Sequence, residues 1–273
     1  MRCRHVVEYS NCEHEQLAQP DCLPINNLLA TPQRPTRLLV VDDDLDTCAN
    51  LADILTDIGY EVQSATDATM ALSTLDQQAF DVVLLDLKLP GMDGLQLYRE
   101  LKRRSASTVA ILITGFADAE TRQRAEQLGV WRILPKPVDV SALLPLISEA
   151  AKQPLLLIVD DDSDFCASLY DVLRERSFRV GIAGSAQEAA QQMRLQEFPI
   201  VLVDWRLPDA DGLKLLEEIH GQHPRVRTML LTGYQHELVE RLEKKLLHDV
   251  DVLLYKPLEM DGFLGTLQRW VNC

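Results

Sequence analysis

Short apolar runs alternate with amphipathic stretches along most of this chain, and the alternation occurs twice. That rhythm predicts parallel strands joined by crossover helices. In the first pass, strands are expected near Arg37–Val41, Glu61–Ala65, Asp81–Leu85, Val109–Thr114 and Trp131–Leu134. Helices are expected near Asp46–Ile58, Ala68–Gln77, Leu95–Arg103, Asp118–Leu128 and Ala142–Ala151. The run Val82-Val83-Leu84-Leu85 has no polar alternation, which suits a central strand covered on both faces. Leu51, Ile54, Leu55 and Ile58 recur at helical spacing and predict one buried face, with Gly59 as the stop. Pro145 falls inside the fifth helix and is expected to kink it or delay its start. The second pass predicts strands near Leu155–Val159, Arg179–Ala183, Ile200–Val203, Arg227–Thr232 and Asp251–Leu254.

The two passes are copies. LLVVDDD at Leu38–Asp44 returns as LLIVDDD at Leu156–Asp162, and VVLLDLKLPGMDGL at Val82–Leu95 returns as IVLVDWRLPDADGL at Ile200–Leu213. Asp42, Asp86 and Thr114 reappear 118 residues later as Asp160, Asp204 and Thr232, whereas Lys136 reappears 120 later as Lys256. Conserved order at a fixed offset is the mark of a duplicated domain. Two domains are therefore expected, over 36–152 and 154–273, each large enough to bury its own core. Each is expected to be a doubly wound (βα)5 unit of flavodoxin-like strand order 2-1-3-4-5. Lys152-Gln153-Pro154 is a short joint, expected to give the units a preferred mutual orientation. Residues 1–35, with Pro20, Pro24, Pro32 and Pro35 and no sustained period, read as a disordered tail.

Charge narrows the function. Residues 36–153 carry 11 basic and 18 acidic side chains, and residues 154–273 carry 13 and 20, so neither half offers the cationic surface that DNA phosphates require. Apolar runs are of strand length, too short to span a membrane, and the opening MRCRHVVEYSNCEHE has no signal core. Of the six cysteines, Cys48 and Cys166 are repeat equivalents and read as buried small side chains. Cys3, Cys12 and Cys22, with His5 and His14, match no compact zinc spacing. The set fits a reducing cytoplasm.

In a sheet of this order, strands one and three are neighbours, and ligands sit outside their carboxyl ends. Asp42 and Asp43 follow the first strand, and Asp86 ends the third, so three carboxylates meet in one shallow pocket. Their repulsion needs protonation or a cation to relieve it, and an all-oxygen set favours Mg²⁺, one per unit. Thr114 and Lys136 end strands four and five at the same rim. A hydroxyl and an ammonium facing a carboxylate form a receptor for one phosphoryl group. Asp44 and Asp162 read as helix caps, Lys102-Arg103-Arg104 as a solvated helix end, and the Leu238, Leu242 and Leu246 stripe as core or partner surface.

Five side chains at four separated places, present in both copies, resemble the receiver domain of bacterial two-component response regulators. The resemblance implies that Asp86 and Asp204 are phosphoacceptors, attacking a phosphohistidine on a histidine kinase or phosphotransfer protein. It implies Mg²⁺ held by Asp42, Asp43, Asp86 and the Lys88 carbonyl, and by Asp160, Asp161, Asp204 and the Arg206 carbonyl. Thr114 and Thr232 are then switch hydroxyls, and Lys136 and Lys256 bind the phosphoryl group. The shift is read on the face of the fourth helix, fifth strand and fifth helix. Only 17 residues follow Lys256, so no output domain is expected and output passes through a protein partner, with a homodimer possible.

Ile133 and Leu253 stand where many receivers carry a switching Tyr or Phe. Lys88, Arg206, Phe116 and Tyr234 place bulk where water attacks, predicting slow self-dephosphorylation. Two other readings stay open: one unit as a non-phosphorylated dimerisation or adaptor module, and a haloacid-dehalogenase-like phosphatase. The phosphatase would need an acid where Lys88 and Arg206 stand, so the protein is not expected to be an enzyme.

Overall fold

The computed structural model describes residues 7–8, 34–115, 118–233 and 250–272. Arg34–Gln153 form one compact unit, and Pro154–Cys273 form the other, with Val7–Glu8 joined to it. Each is considered separately.

The first unit runs β2 (Arg37–Val41), α1 (Leu45–Asp57), β3 (Glu61–Ala65), α2 (Ala68–Gln77), β4 (Val82–Asp86), α3 (Gly94–Arg104), β5 (Val109–Thr114), α4 (Ala119–Leu128), β6 (Arg132–Pro135) and α5 (Val140–Lys152). Its strands are all parallel in the order β3-β2-β4-β5-β6, the expected 2-1-3-4-5. Successive strand side chains go to opposite faces. Leu39, Val41, Val83 and Leu85 therefore join one core, and Leu38, Val40, Val82 and Leu84 the other. Each such fully buried side chain contributes roughly 1.5–3 kcal/mol, so the central strands anchor the unit.

Two expectations change in this unit. Leu51 and Leu55 are buried with Cys48, but Ile54 and Ile58 are 40% and 51% exposed. The buried stripe of α1 is set by Cys48, Leu51 and Leu55, three and four apart; Ile54 is turned off it, and Ile58 lies past the last helical residue as the C-cap. Gly59 follows with φ +105, and its N–H closes on the Thr56 carbonyl. The second change concerns α5, which begins at Val140 behind the Asp139 cap and runs through Pro145. Its start is not delayed; the ring removes the one N–H that would have bonded to the Ser141 carbonyl.

The second unit repeats the plan: β7 (Leu155–Val159), α6 (Ser163–Glu175), β8 (Arg179–Ala183), α7 (Ala186–Leu195), β9 (Ile200–Asp204), α8 (Gly212–Gln222), β10 (Arg227–Thr232), β11 (Val252–Tyr255) and α9 (Met260–Asn272). The order β8-β7-β9-β10-β11 is again 2-1-3-4-5. The stripe of Leu238, Leu242 and Leu246 lies outside the described residues.

Among the described residues, the segment 1–35 takes part in structure at two places. Val7–Glu8 (β1) pairs in parallel with the outer edge of β11, as a sixth strand. Arg34 makes a two-pronged ion pair with Asp81, at 2.9 and 3.0 Å, so the first unit starts at least two residues before 36.

Candidate functional site

Register puts the acidic residues together. In the first unit Val41 lies opposite Leu85, so Asp42 and Asp86 leave neighbouring strands at the same edge. Thr114 lies opposite Pro135, and the next residue, Lys136, donates its N–H to the Thr114 carbonyl at 2.8 Å. Asp42, Asp86 and Thr114 are buried, at 3–5% exposure, although all three are polar. Buried charge needs a partner, and Lys136 supplies it: its Nζ is 2.6 Å from Asp42 Oδ2 and 2.8 Å from Asp86 Oδ2. Burial works against that ammonium, but the hydrogen bonds it donates to Asp42 and Asp86 outweigh it and hold its pKa above the ordinary lysine value. Asp43 is exposed, yet Asp42, Asp43 and Asp86 bring carboxylate oxygens within 4.8 Å of one another. Among the described residues this is the one group of three or more His, Cys, Asp or Glu that close. An all-oxygen triad of this kind fits a hard divalent cation such as Mg²⁺.

The second unit keeps the register. Val159 faces Val203, Thr232 faces Tyr255, and Lys256 N–H meets the Thr232 carbonyl at 2.7 Å. Lys256 Nζ lies 2.8 Å from Asp160 Oδ2 and 2.9 Å from Asp204 Oδ1. The partners respond differently to burial. Burial raises the Asp160 pKa, and the Lys256 hydrogen bond only partly offsets this. The Lys256 pKa also rises, its two carboxylate bonds outweighing burial. The carboxylate bears the desolvation because it is 2% exposed, against 30% for the lysine side chain. Asp160, Asp161 and Asp204 do not close to the spacing of the first triad. Instead Asp204 Oδ2 accepts the Arg206 N–H at 2.8 Å.

Neighbouring residues serve the pockets locally. Asp44 and Asp162 cap α1 and α6, as expected, each accepting two backbone N–H groups. Gly94 and Gly212 start α3 and α8 where a β-carbon would collide with the main-chain carbonyls of Asp86 and Asp204. Only glycine lets the helix start this close to those aspartates. Cys48 and Cys166 are buried and free; burial raises both thiols, Cys166 to about 12, so neither is a nucleophile at neutral pH.

The sequence pattern of the response regulator receiver domain matches residues 38–148 and again 156–268. The chain belongs to the response regulator receiver family. A response regulator receiver protein of Anaeromyxobacter sp. (strain Fw109-5) is 35% identical over 205 residues, covering 74% of this chain and 84% of that protein. The transcriptional regulatory protein GlrR of Escherichia coli (strain K12) is 35% identical over 120 residues, 44% of this chain but 27% of GlrR. The chain thus matches only about a quarter of that longer relative. Among solved structures, a CheY-like receiver domain protein of Methanospirillum hungatei JF-1 is 32% identical, covers 43% of this chain and 94% of its own, and has a TM-score of 0.42. Receiver domains are phosphoacceptor modules of two-component signalling, and this chain carries two.

Ile133 is half-buried against the first core, and Leu253 is buried in the second. Lys88 and Arg206 are exposed, two residues after Asp86 and Asp204, while Phe116 and Tyr234 lie outside the described residues. Two side chains escaped the sequence reading. Phe165, at the repeat position of Thr47, places its ring 4.9 Å from Lys256 Nζ. Asp209, at the position of Gly91, accepts the Ala186 and Gln187 N–H groups at 2.9 and 3.0 Å. Both were detectable as mismatches between the copies.

Proposed function

We propose that the protein is a tandem response regulator that accepts phosphoryl groups on Asp86 and Asp204 from a histidine kinase or a histidine phosphotransfer protein, in the cytoplasm, and signals through a protein partner. The observation that carries this reading is the lysine in each receiver, bound to both buried strand-end aspartates. A carboxylate held beside an ammonium, at an edge open to solvent, is a nucleophile with charge compensation for an incoming phosphoryl group already in place.

In the first receiver Asp42, Asp43, Asp86 and the Lys88 carbonyl would hold Mg²⁺; in the second, Asp160, Asp161, Asp204 and the Arg206 carbonyl would do so. When bound, the ion shields the oxygens of the transferring phosphoryl group. Asp86 or Asp204 attacks, phosphorus passes from the histidine nitrogen to the carboxylate oxygen, and the lysine turns from the free carboxylates to the acyl phosphate. Thr114 and Thr232 follow the new phosphoryl oxygens. In the first receiver a groove of about 510 Å³ is lined by Thr114, Ile133, Trp131 and, on α4, Arg122. It gives the hydroxyl a physical route to an output surface. Ile133 lines this groove, so its repacking stands in for the aromatic rotation of other receivers.

The second receiver as an adaptor is favoured by one observation, the Arg206 N–H that occupies Asp204. One experiment decides. Chains carrying Asp86→Ala, Asp204→Ala or both are exposed to a phosphorylated kinase domain and to acetyl phosphate, and acid-labile phosphate is counted. Two sites, each lost with its own aspartate, support the proposal. One site only, at Asp86, makes the second receiver an adaptor. None overturns the reading.

A further inference from the structure

The two pockets share every motif residue yet differ in what stands behind the lysine. In the second receiver, α6 brings Phe165 to the pocket wall. Its backbone N–H is bound to the Asp162 cap at 3.0 Å, and its ring packs against the buried core that includes Cys166 and Leu169. The residue is thus held by its backbone and by core packing, half-buried, with the ring centroid 4.9 Å from Lys256 Nζ. In the first receiver the same backbone position carries Thr47, whose hydroxyl donates to Asp44 Oδ2 at 3.1 Å. Nothing aromatic backs Lys136 among the described residues.

We propose that Phe165 is a positioning residue for phosphoryl capture at Asp204: its ring face holds the Lys256 ammonium at the pocket while that lysine exchanges carboxylate partners for phosphoryl oxygens. This inference rests on Asp204 being a phosphoacceptor. The physics is that of a cation over a π face. Lys256 must loosen its bonds to Asp160 and Asp204 when the phosphoryl group arrives. Hydrogen bonds to carboxylates are directional and are lost as the ammonium swings. Attraction to a ring face varies little as the ammonium slides across it, so it persists through the swing. Lys136 makes the same move with Thr47, not a ring, at the equivalent position. Phe165 touches neither the phosphoryl group nor the acceptor, so its effect passes wholly through Lys256.

The test reads Asp204 alone, in the full-length Asp86→Ala chain, with phosphoramidate and saturating Mg²⁺. Here the Asp204 Oδ–P bond forms as the P–N bond breaks, and ammonia leaves. Phenylalanine at position 165 is replaced by its mono-, di- and trifluoro analogues, which weaken the ring quadrupole while nearly preserving shape. Phe165→Tyr and Phe165→Leu accompany them. The expected result is a stepwise fall in the rate of uptake with each fluorine, about fivefold across the series, with the unfolding midpoint unchanged. Phe165→Tyr keeps the rate and Phe165→Leu loses it. A flat rate across a folded series, with normal uptake in the unsubstituted ring, overturns this inference and leaves the proposed function standing. No uptake at Asp204 with Phe165 intact overturns both.

Discussion

The loop after each strand-end aspartate, Asp86 and Asp204, shows how two nearly identical strings build different pockets. In the first receiver Asp86 is followed by Leu87 to Asp93, and Gly91, at φ +79, has no side chain with which to reach a neighbouring helix. In the second, Asp209 stands in place of Gly91 and grips the first turn of α7 through two backbone N–H groups. Leu207 N–H closes on the Ala210 carbonyl, and Arg206 bridges to Asp211. That turn aims the Arg206 N–H at Asp204. The first acceptor is left facing Asp42 and Asp43, and the second is already partly satisfied by its own loop. An acidic triad open to a cation in the first receiver thus contrasts with a tethered aspartate in the second, and Asp209 is the loop difference that makes new contacts.

The largest effect tests what the two receivers share. Gly94→Ala and Gly212→Ala would each push a β-carbon into an acceptor's main-chain carbonyl. Each should cost about 3 kcal/mol of stability in its own unit, since backbone cannot step aside as a side chain can. Chemical unfolding followed by Trp131 for the first unit and Trp205 for the second would read them separately. An unchanged midpoint for either would mean that the acceptor loop is free to shift.

Next comes the lysine. Lys136→Met leaves Asp42 and Asp86 buried together without a counter-charge. A loss of about 1–2 kcal/mol is expected at pH 7, less than for a fully buried pair because the lysine side chain is 27% exposed. The sign follows from protonation. The variant regains stability as pH falls and one carboxylate takes up a proton. The unaltered chain keeps the lysine's contribution below the ordinary lysine value and loses it only as pH rises through the elevated pKa of Lys136. A variant whose deficit does not shrink with falling pH would break the idea that the lysine serves as counter-charge.

The third prediction sharpens the contrast itself. For Asp204 to turn toward a cation it must give up the Arg206 N–H, a charge-assisted bond whose loss corresponds to about tenfold in affinity. Mg²⁺ should therefore half-saturate the first pocket at roughly a tenth of the concentration the second needs. Titrations of chains carrying Asp86→Asn or Asp204→Asn would read one pocket at a time, with Trp205, next to Asp204, as a built-in reporter in the second. Equal half-saturation would show that the tether costs nothing.

Much of this was legible in the sequence, for reasons that differ by element. Central strands such as Val82–Asp86 are apolar on both faces, and no other arrangement buries them. The pocket followed from strand order and the repeat, and the two-residue excess before Lys256 leaves the register intact, because Leu230 still faces Leu253 as Leu112 faces Ile133. What stayed hidden depends on rotation and on long-range partners. Ile54 obeys helical spacing but points outward. Asp209 looks like an ordinary turn residue, and its partner amides lie 22 and 23 positions back in the chain. Phe165 shows in the sequence only as a mismatch with Thr47, and only the fold shows that its ring meets Lys256.

The smallest effect isolates the brace. Asp209 is exposed, so Asp209→Gly should leave the unfolding midpoint nearly unchanged, while protection of the Ala186, Gln187 and Arg206 amides against hydrogen exchange falls. The hydrogen bonds from Gln187 and then Ala186 hold the Asp209 pKa below its ordinary value of 3.8. Its contribution is therefore complete at neutral pH and disappears only as pH falls through that lowered value. Amide shifts of Ala186 and Gln187 should titrate together in that acid range, and the shift of Arg206 should follow if Asp209 holds its turn. The same substitution should narrow the Mg²⁺ gap between the receivers. If Arg206 stays protected and the gap persists, the loop is not what distinguishes the pockets. The cause then moves to the aromatic residues that only the second receiver carries there, Trp205 beside the acceptor and Phe165 behind the lysine.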